Sequence, residues 1–283
     1  MDLSKITNIR GSYGNYKSGY KLNDKKEFSK VRSLLSIFNL PINNFDRNLE
    51  SLIILKDKTT GNSYDIKRNQ INNSGNENDF IHELFHMASF NKESGTFGSV
   101  NMSNHFGESL NEGITDLFTY LVNEKYEVKY PMEVYMASVL NEFYGNGFID
   151  CHFKGDIKGV YDSFKGDKDS IIEVVSNMDE YTKNNIVFMD SLYNIDSGVN
   201  KNSYDPDLLC DSLVDAISAL LRVISEYDKD EALKYFNLFR MEFNSRSDAI
   251  KSLKSIISTS SYNSYEELIN YIKEEVFEID KTL

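Results

Sequence analysis

Two of the chain's four histidines stand four residues apart, in Ile81-His82-Glu83-Leu84-Phe85-His86. On an α-helix that spacing brings two side chains to within about 40° of each other around the axis, one turn apart. Their imidazoles can hold one metal ion at about 2.0–2.1 Å each, and nitrogen donors of this kind suit zinc. Glu83 lies one position on, displaced around the helix. From there a carboxylate can reach a water on the metal without being a ligand, which is the placement of a general base. A catalytic zinc keeps three protein ligands and leaves a position for water. Glu112, in Asn111-Glu112-Gly113-Ile114-Thr115-Asp116, can supply the third ligand from a second helix. Asp116 follows one turn later on the same face, where it can accept an imidazole N–H and fix the ring's tautomer.

These residues need helices under them, and the apolar periodicity supplies them. Ile81, Leu84, Phe85 and Ala88 form one face of a helix over residues 80–90, turned away from the histidines, with Asp79 as its N-cap. Residues 110–122 and 131–143 predict two further helices. Upstream, a helix over 27–39 stops at Pro41. A buried strand follows over 51–55, then a turn over 59–61, a more exposed strand over 63–71 and a loop over 72–78. Residues 8–23 read as irregular or as a short hairpin, 91–107 as a loop, and 145–166 as loops with short elements. Amphipathic patterns at 169–178, 207–227, 229–243, 247–258 and 263–278 predict helices, with Asp205-Pro206 and Ser264 at starts. The expected fold class is α+β: a domain over 1–165 with a small mixed sheet and the two site helices, then an all-helical region over 166–283 packed on it.

H-E-x-x-H followed, after a loop, by N-E-x-x-x-D resembles the gluzincin metallopeptidases. The stretch Glu108–Val122 (ESLNEGITDLFTYLV) is similar to the glutamate helix of thermolysin-like enzymes over its whole length. HELFHMAS followed by LNEGITD also resembles small bacterial proteins of the same clan. The resemblance covers roughly residues 50–125. It implies a zincin-like fold, one zinc per chain on His82, His86 and Glu112, Glu83 as general base and proton shuttle, and Asp116 orienting an imidazole, that of His82. It further implies hydrolysis of peptide or protein substrates, with extended peptide added to the edge of the sheet along the 63–71 strand. Two features depart from the family. The interval from His86 to Glu112 is longer than in thermolysin-like enzymes. The family also holds its oxyanion with a tyrosine and a histidine, and no tyrosine lies between residues 87 and 119. His105 is the first candidate for that task, with Tyr130 and Tyr135 beyond it.

The remainder of the sequence narrows the field. At 283 residues the chain is long enough for a sizeable core, and its 40% hydrophobic and 27% charged content is that of a globular protein. The net charge of −13 is spread along the chain with no basic stripe, which argues against nucleic acid as the partner. No apolar run of membrane-spanning or signal-peptide length is present, so the expectation is a cytoplasmic protein without membrane association. Cys151 and Cys210 are in no metal-binding spacing and read as free thiols. His152, next to Cys151, has no sequence partner for a second site. An alternative to the peptidase is a zinc-stabilised zincin-like scaffold whose helical region binds a partner. Glu83 counts against a purely structural ion, because a closed coordination shell has no use for a base.

Overall fold

The computed structural model describes residues 17–56, 61–123, 125–195, 205–243 and 248–278. Within them the protein is a mixed α+β structure with small sheets and many helices. Residues 8–16 and the first part of the 59–61 turn lie outside the described residues. Two compact units can be distinguished. The first comprises the chain up to Gly98 with Phe118–Tyr126 and Phe153–Gly155, and the second comprises the rest, including all of 166–283.

In the first unit, α1 (Lys26–Ile37) and α2 (Asn43–Ser51) precede strands β2 (Ile53–Lys56), β3 (Ser63–Asp65) and β4 (Gln70–Asn73), with a short β1 (Lys17–Ser18) ahead of them. The sheet runs β1-β2-β4-β3. β2 pairs parallel with β4, Ile54 opposite Ile71, while β3 lies antiparallel to β4 at the edge, Tyr64 opposite Ile71. The expected single strand over 63–71 is therefore a hairpin. Its turn closes at Asn69, whose φ of 49° an asparagine tolerates better than most residues, and Asp65 Oδ1 accepts the Arg68 N–H at 3.2 Å. Helix α3 (Glu77–Ser89) carries the H-E-x-x-H motif. It is capped by Asn76 rather than Asp79; the Asn76 side chain accepts from the N–H groups of Asn78 and Asp79. A small hairpin of β5 (Phe90–Asn91) and β6 (Thr96–Phe97) replaces the start of the expected loop.

Helix α2 is invisible to the apolar pattern because only Phe45 and Leu49 mark its inner face. Its other buried positions are Asn44 and Asn48, residues that in a sequence read as loop. Asn48 is fully buried and its Nδ2 donates to the carbonyls of Met87 (2.9 Å) and Phe90 (2.7 Å). It thus covers the C-terminal end of α3, where helical carbonyls run out of intrahelical partners. Asn44 makes the same kind of contact with the carbonyl of Phe153 at 3.0 Å.

Helix α4 (Glu108–Val122) is continuous through both units: its residues to Leu117 belong to the second and those from Phe118 to the first. In the second unit, α5 (Pro131–Tyr144) is followed by α6 (Gly147–Lys154) and α7 (Ile157–Asp162), helical where glycines had suggested loops with short elements. Asp156 caps α7 by accepting the Gly159 N–H. Then come α8 (Lys168–Ile195), longer than its apolar pattern, α9 (Pro206–Ser225), α10 (Lys229–Phe243), α11 (Asp248–Ile257) and α12 (Tyr265–Lys273). The starts expected at Asp205 and Ser264 are present, each side chain accepting N–H groups of the first turn. α9 is the core helix of this region, buried from Leu209 through Ile224 on most positions. Cys151 and Cys210 are free cysteines. Among the described residues no helix is long and apolar enough to cross a membrane.

Replacing Asn48 with Leu keeps the volume but removes both donors beneath α3. The expected cost is about 1–3 kcal/mol, from carbonyls left buried without that partner, read as a lower urea midpoint at unchanged slope.

Candidate metal centre

Helix α3 is buried from Phe80 to Ser89, all but its first three residues. A helix hydrophobic all round would need no explanation in such a place, but this one carries His82, Glu83 and His86, exposed by only 4%, 7% and 6%. Buried polar groups require partners. The two imidazoles find one in each other: their Nε2 atoms face at 3.0 Å, with ring centroids 4.7 Å apart and planes at 80°. The i,i+4 spacing produces that convergence directly. Phe97, from the β5–β6 hairpin, packs on the His86 ring at 5.6 Å between centroids.

Glu112 reaches the same place from α4. The C-terminal part of α4 is packed on α3 within the first unit, through Phe118 against Phe85 (5.7 Å) and Phe153 (5.1 Å). Asn123, just past its end, donates to Asn78 Oδ1 at 2.7 Å. Ligand atoms of His82, His86 and Glu112 all lie within 4.8 Å of one another. Two ligands about 2.05 Å from one tetrahedral ion stand roughly 3.3 Å apart, so the facing nitrogens already have about the right separation. Two neutral imidazoles and a carboxylate, drawn from buried and half-buried positions, make a set that could hold one metal ion. The fit is chemical as well as geometric: a cation offsets the repulsion that gathers where carboxylates collect.

Such carboxylates are close at hand. Asp116, fully buried, accepts the backbone N–H groups of Lys129 (2.7 Å) and Tyr130 (2.9 Å) through Oδ2. One acid thereby holds the chain just before α5. Glu133, on the first turn of α5, is 1% exposed. Burial pushes its carboxyl up to about 7, the nearby charges of Glu112 and Asp116 adding to the effect and the Thr182 hydrogen bond opposing it. The Thr182 Oγ1 hydroxyl donates towards Glu133 Oε1 at 2.7 Å and the Met178 carbonyl oxygen at 2.8 Å. The close approach of α5 to α4 depends on Gly113, where a Cβ would stand 2.3 Å from the Glu133 carbonyl oxygen.

His105 lies in the loop before α4 with φ 61°, its ring largely exposed and its Nδ1 2.6 Å from Glu108 Oε1. Tyr130 is the N-cap of α5. The Tyr135 hydroxyl donates to the Tyr235 carbonyl at 2.9 Å. Glu133 and Gly113 were not foreseen as parts of this environment. In the sequence Glu133 follows Pro131 as an ordinary acid of a helix's first turn, and only three-dimensional burial distinguishes it.

Two outcomes follow. Wild-type protein is expected to carry one divalent ion per chain by elemental analysis, and chelator is expected to lower its Tm. Both effects should vanish in His86→Ala, since an ion at a thousand times its Kd stabilises by about 4 kcal/mol. Glu133 gives a pH signature in the chelated protein. Its carboxyl keeps its proton longer folded than unfolded, so stability falls as pH rises from about 4.5 to about 7 and then levels. Glu133→Gln should remove on the order of 3 kcal/mol of that fall, gaining stability at pH 8 and none at pH 4.5, as urea titrations at the two pH values would report. Comparison of the chain with known protein families, with curated proteins and with solved structures returns no match.

Proposed function

We propose that the protein is a zinc-dependent peptidase of gluzincin type, with a zincin-like domain built around α3 and α4. The observation that carries this reading is the convergence of His82, His86 and Glu112 beside a buried acid, Glu83, on the same helix. An ion held by two imidazoles and a carboxylate supplies a Lewis acid that lowers the pKa of water and polarises the scissile carbonyl. Glu83 is the base. It is buried, and its place one residue after His82 sets it at the edge of the ligand face. The Glu83 carboxylate takes a proton from the attacking water and passes it to the departing amine. His82 and His86 would bind the ion through Nε2, and Asp116 on α4 would orient one imidazole, that of His82. His105, whose ring reaches solvent, is the first choice for a donor to the oxyanion.

Substrate can be accommodated by the sheet. Among the described residues β3 is an edge strand, with Ser63, Tyr64 and Asp65 paired on one side only. An extended peptide can add to its free side through main-chain hydrogen bonds. A purely structural ion would make Glu83 an unexplained buried acid next to the ligands. The peptidase reading gives it work.

Zinc-loaded wild type is expected to cleave members of a mixed peptide library, detected by mass spectrometry. Glu83→Gln is expected to keep its zinc and lose cleavage by a factor of about 10²–10⁴. Stoichiometric zinc together with cleavage that survives Glu83→Gln, or no cleavage by wild type, would sink the proposal.

A further inference from the structure

Helix α4 has an unusual beginning. The first N–H groups of any helix lack intrahelical partners, and a Ser, Thr, Asp or Asn just before the first turn ordinarily accepts from them. Here that position is Gly107, which has no side chain to offer. A glycine is enforced: φ is 91°, and a Cβ would stand 2.3 Å from the carbonyl oxygen of Ser99. The helix therefore cannot cap itself from its own preceding residue. The missing acceptor comes from Asp179 in the middle of α8. Its Oδ2 accepts the Gly107 N–H at 2.7 Å and its Oδ1 the Ser109 N–H at 2.8 Å. A carboxylate gripping two amides, those of Gly107 and Ser109, at the positive end of a helix is favoured by charge as well as by hydrogen bonding.

Glu112 stands one turn beyond this cap. Three residues along α8, on the same face, Thr182 bonds to Glu133 on α5, the residue whose backbone Gly113 is shaped to meet. Within one turn, α8 thus holds the start of α4 and the helix that packs behind Glu112.

We infer that Asp179 is a positioning residue for the metal ligand Glu112, and that α8, in the region after residue 165, is part of the metal centre's support. The inference rests on the metal-binding reading of His82, His86 and Glu112. Without the Asp179 carboxylate the first turn of α4 loses two bonds at its open end and frays. Glu112 then samples positions that the two histidines do not share, and the ion is held less tightly. Outer partners that orient a ligand typically change metal affinity 10–100-fold when removed.

The test uses full-length wild type, Asp179→Ala and Asp179→Asn. In metal-free protein, amide exchange across residues 107–113 is followed by mass spectrometry. Zinc affinity is then measured by competition with a chromophoric chelator, well below each Tm. Asp179→Ala is expected to speed exchange in that segment at least tenfold, leave α9 unchanged, and weaken zinc binding 10–100-fold. Asp179→Asn, which retains one carbonyl acceptor and loses the charge, is expected to fall between. Leu268→Ala in α12, destabilised through the core alone, is expected to keep wild-type zinc affinity. Unchanged exchange in Asp179→Ala, or faster exchange with zinc affinity equal to wild type, overturns the role of Asp179 and leaves the metal centre standing. Failure of wild type to take up zinc overturns the metal reading and the Asp179 role together, and the wild-type titration shows it before any variant is compared.

Discussion

The Nε2 atoms of His82 and His86 face each other at 3.0 Å on a helix that is buried from Phe80 onward. Placing two polar rings and an acid in that setting costs desolvation, and the surrounding architecture is arranged to offset it. Ligand atoms of His82, His86 and Glu112 lie within 4.8 Å of one another. The aromatic contacts of Phe118 with Phe85 and Phe153 provide the apolar side of the packing around α3. Asn48 beneath the end of α3 provides the polar side, accounting for carbonyls that burial would otherwise leave unmatched.

Around α4 the polar groups act in series. Asp179 holds its start, Gly113 lets α5 come close, and Asp116 turns back to hold the segment leading into α5. Each of these contacts joins elements far apart in sequence, so the loop of residues 91–107 can be long without loosening the glutamate helix. Glu133 is the exception to charge economy. It lies in the dry interior beside two other acids, and its elevated pKa is the consequence. A cation among these carboxylates would lower the repulsion they exert on one another.

Glu112 was singled out by its neighbours Asn111 and Asp116 and by the family resemblance, whereas helical spacing singled out His82 and His86, because i,i+4 geometry is local and needs no knowledge of the fold. The helices over α3, α4 and α5 were legible for the same reason, as were the caps at Asp205 and Ser264. What the sequence concealed was polar burial. Asn44 and Asn48 read as loop residues and are the buried face of α2. Glycines at Gly147, Gly155 and Gly159 suggested loops with short elements over a stretch that holds the short helices α6 and α7, where tertiary packing outweighs helix propensity. Asp179 had no visible role: it sits in a run of α8 residues, Met178-Asp179-Glu180-Tyr181, whose other acid is a surface partner of Lys183. A cap supplied from seventy residues away leaves no local signature.

X-ray absorption at the zinc edge, on protein loaded with one equivalent of zinc, interrogates the centre most directly. A first shell of two imidazole nitrogens with oxygen near 2.0–2.1 Å, and with the imidazole scattering reduced in His82→Ala, is the predicted result. A shell of oxygen alone, or one indifferent to the loss of His82, would contradict the assignment of the metal to α3 and α4.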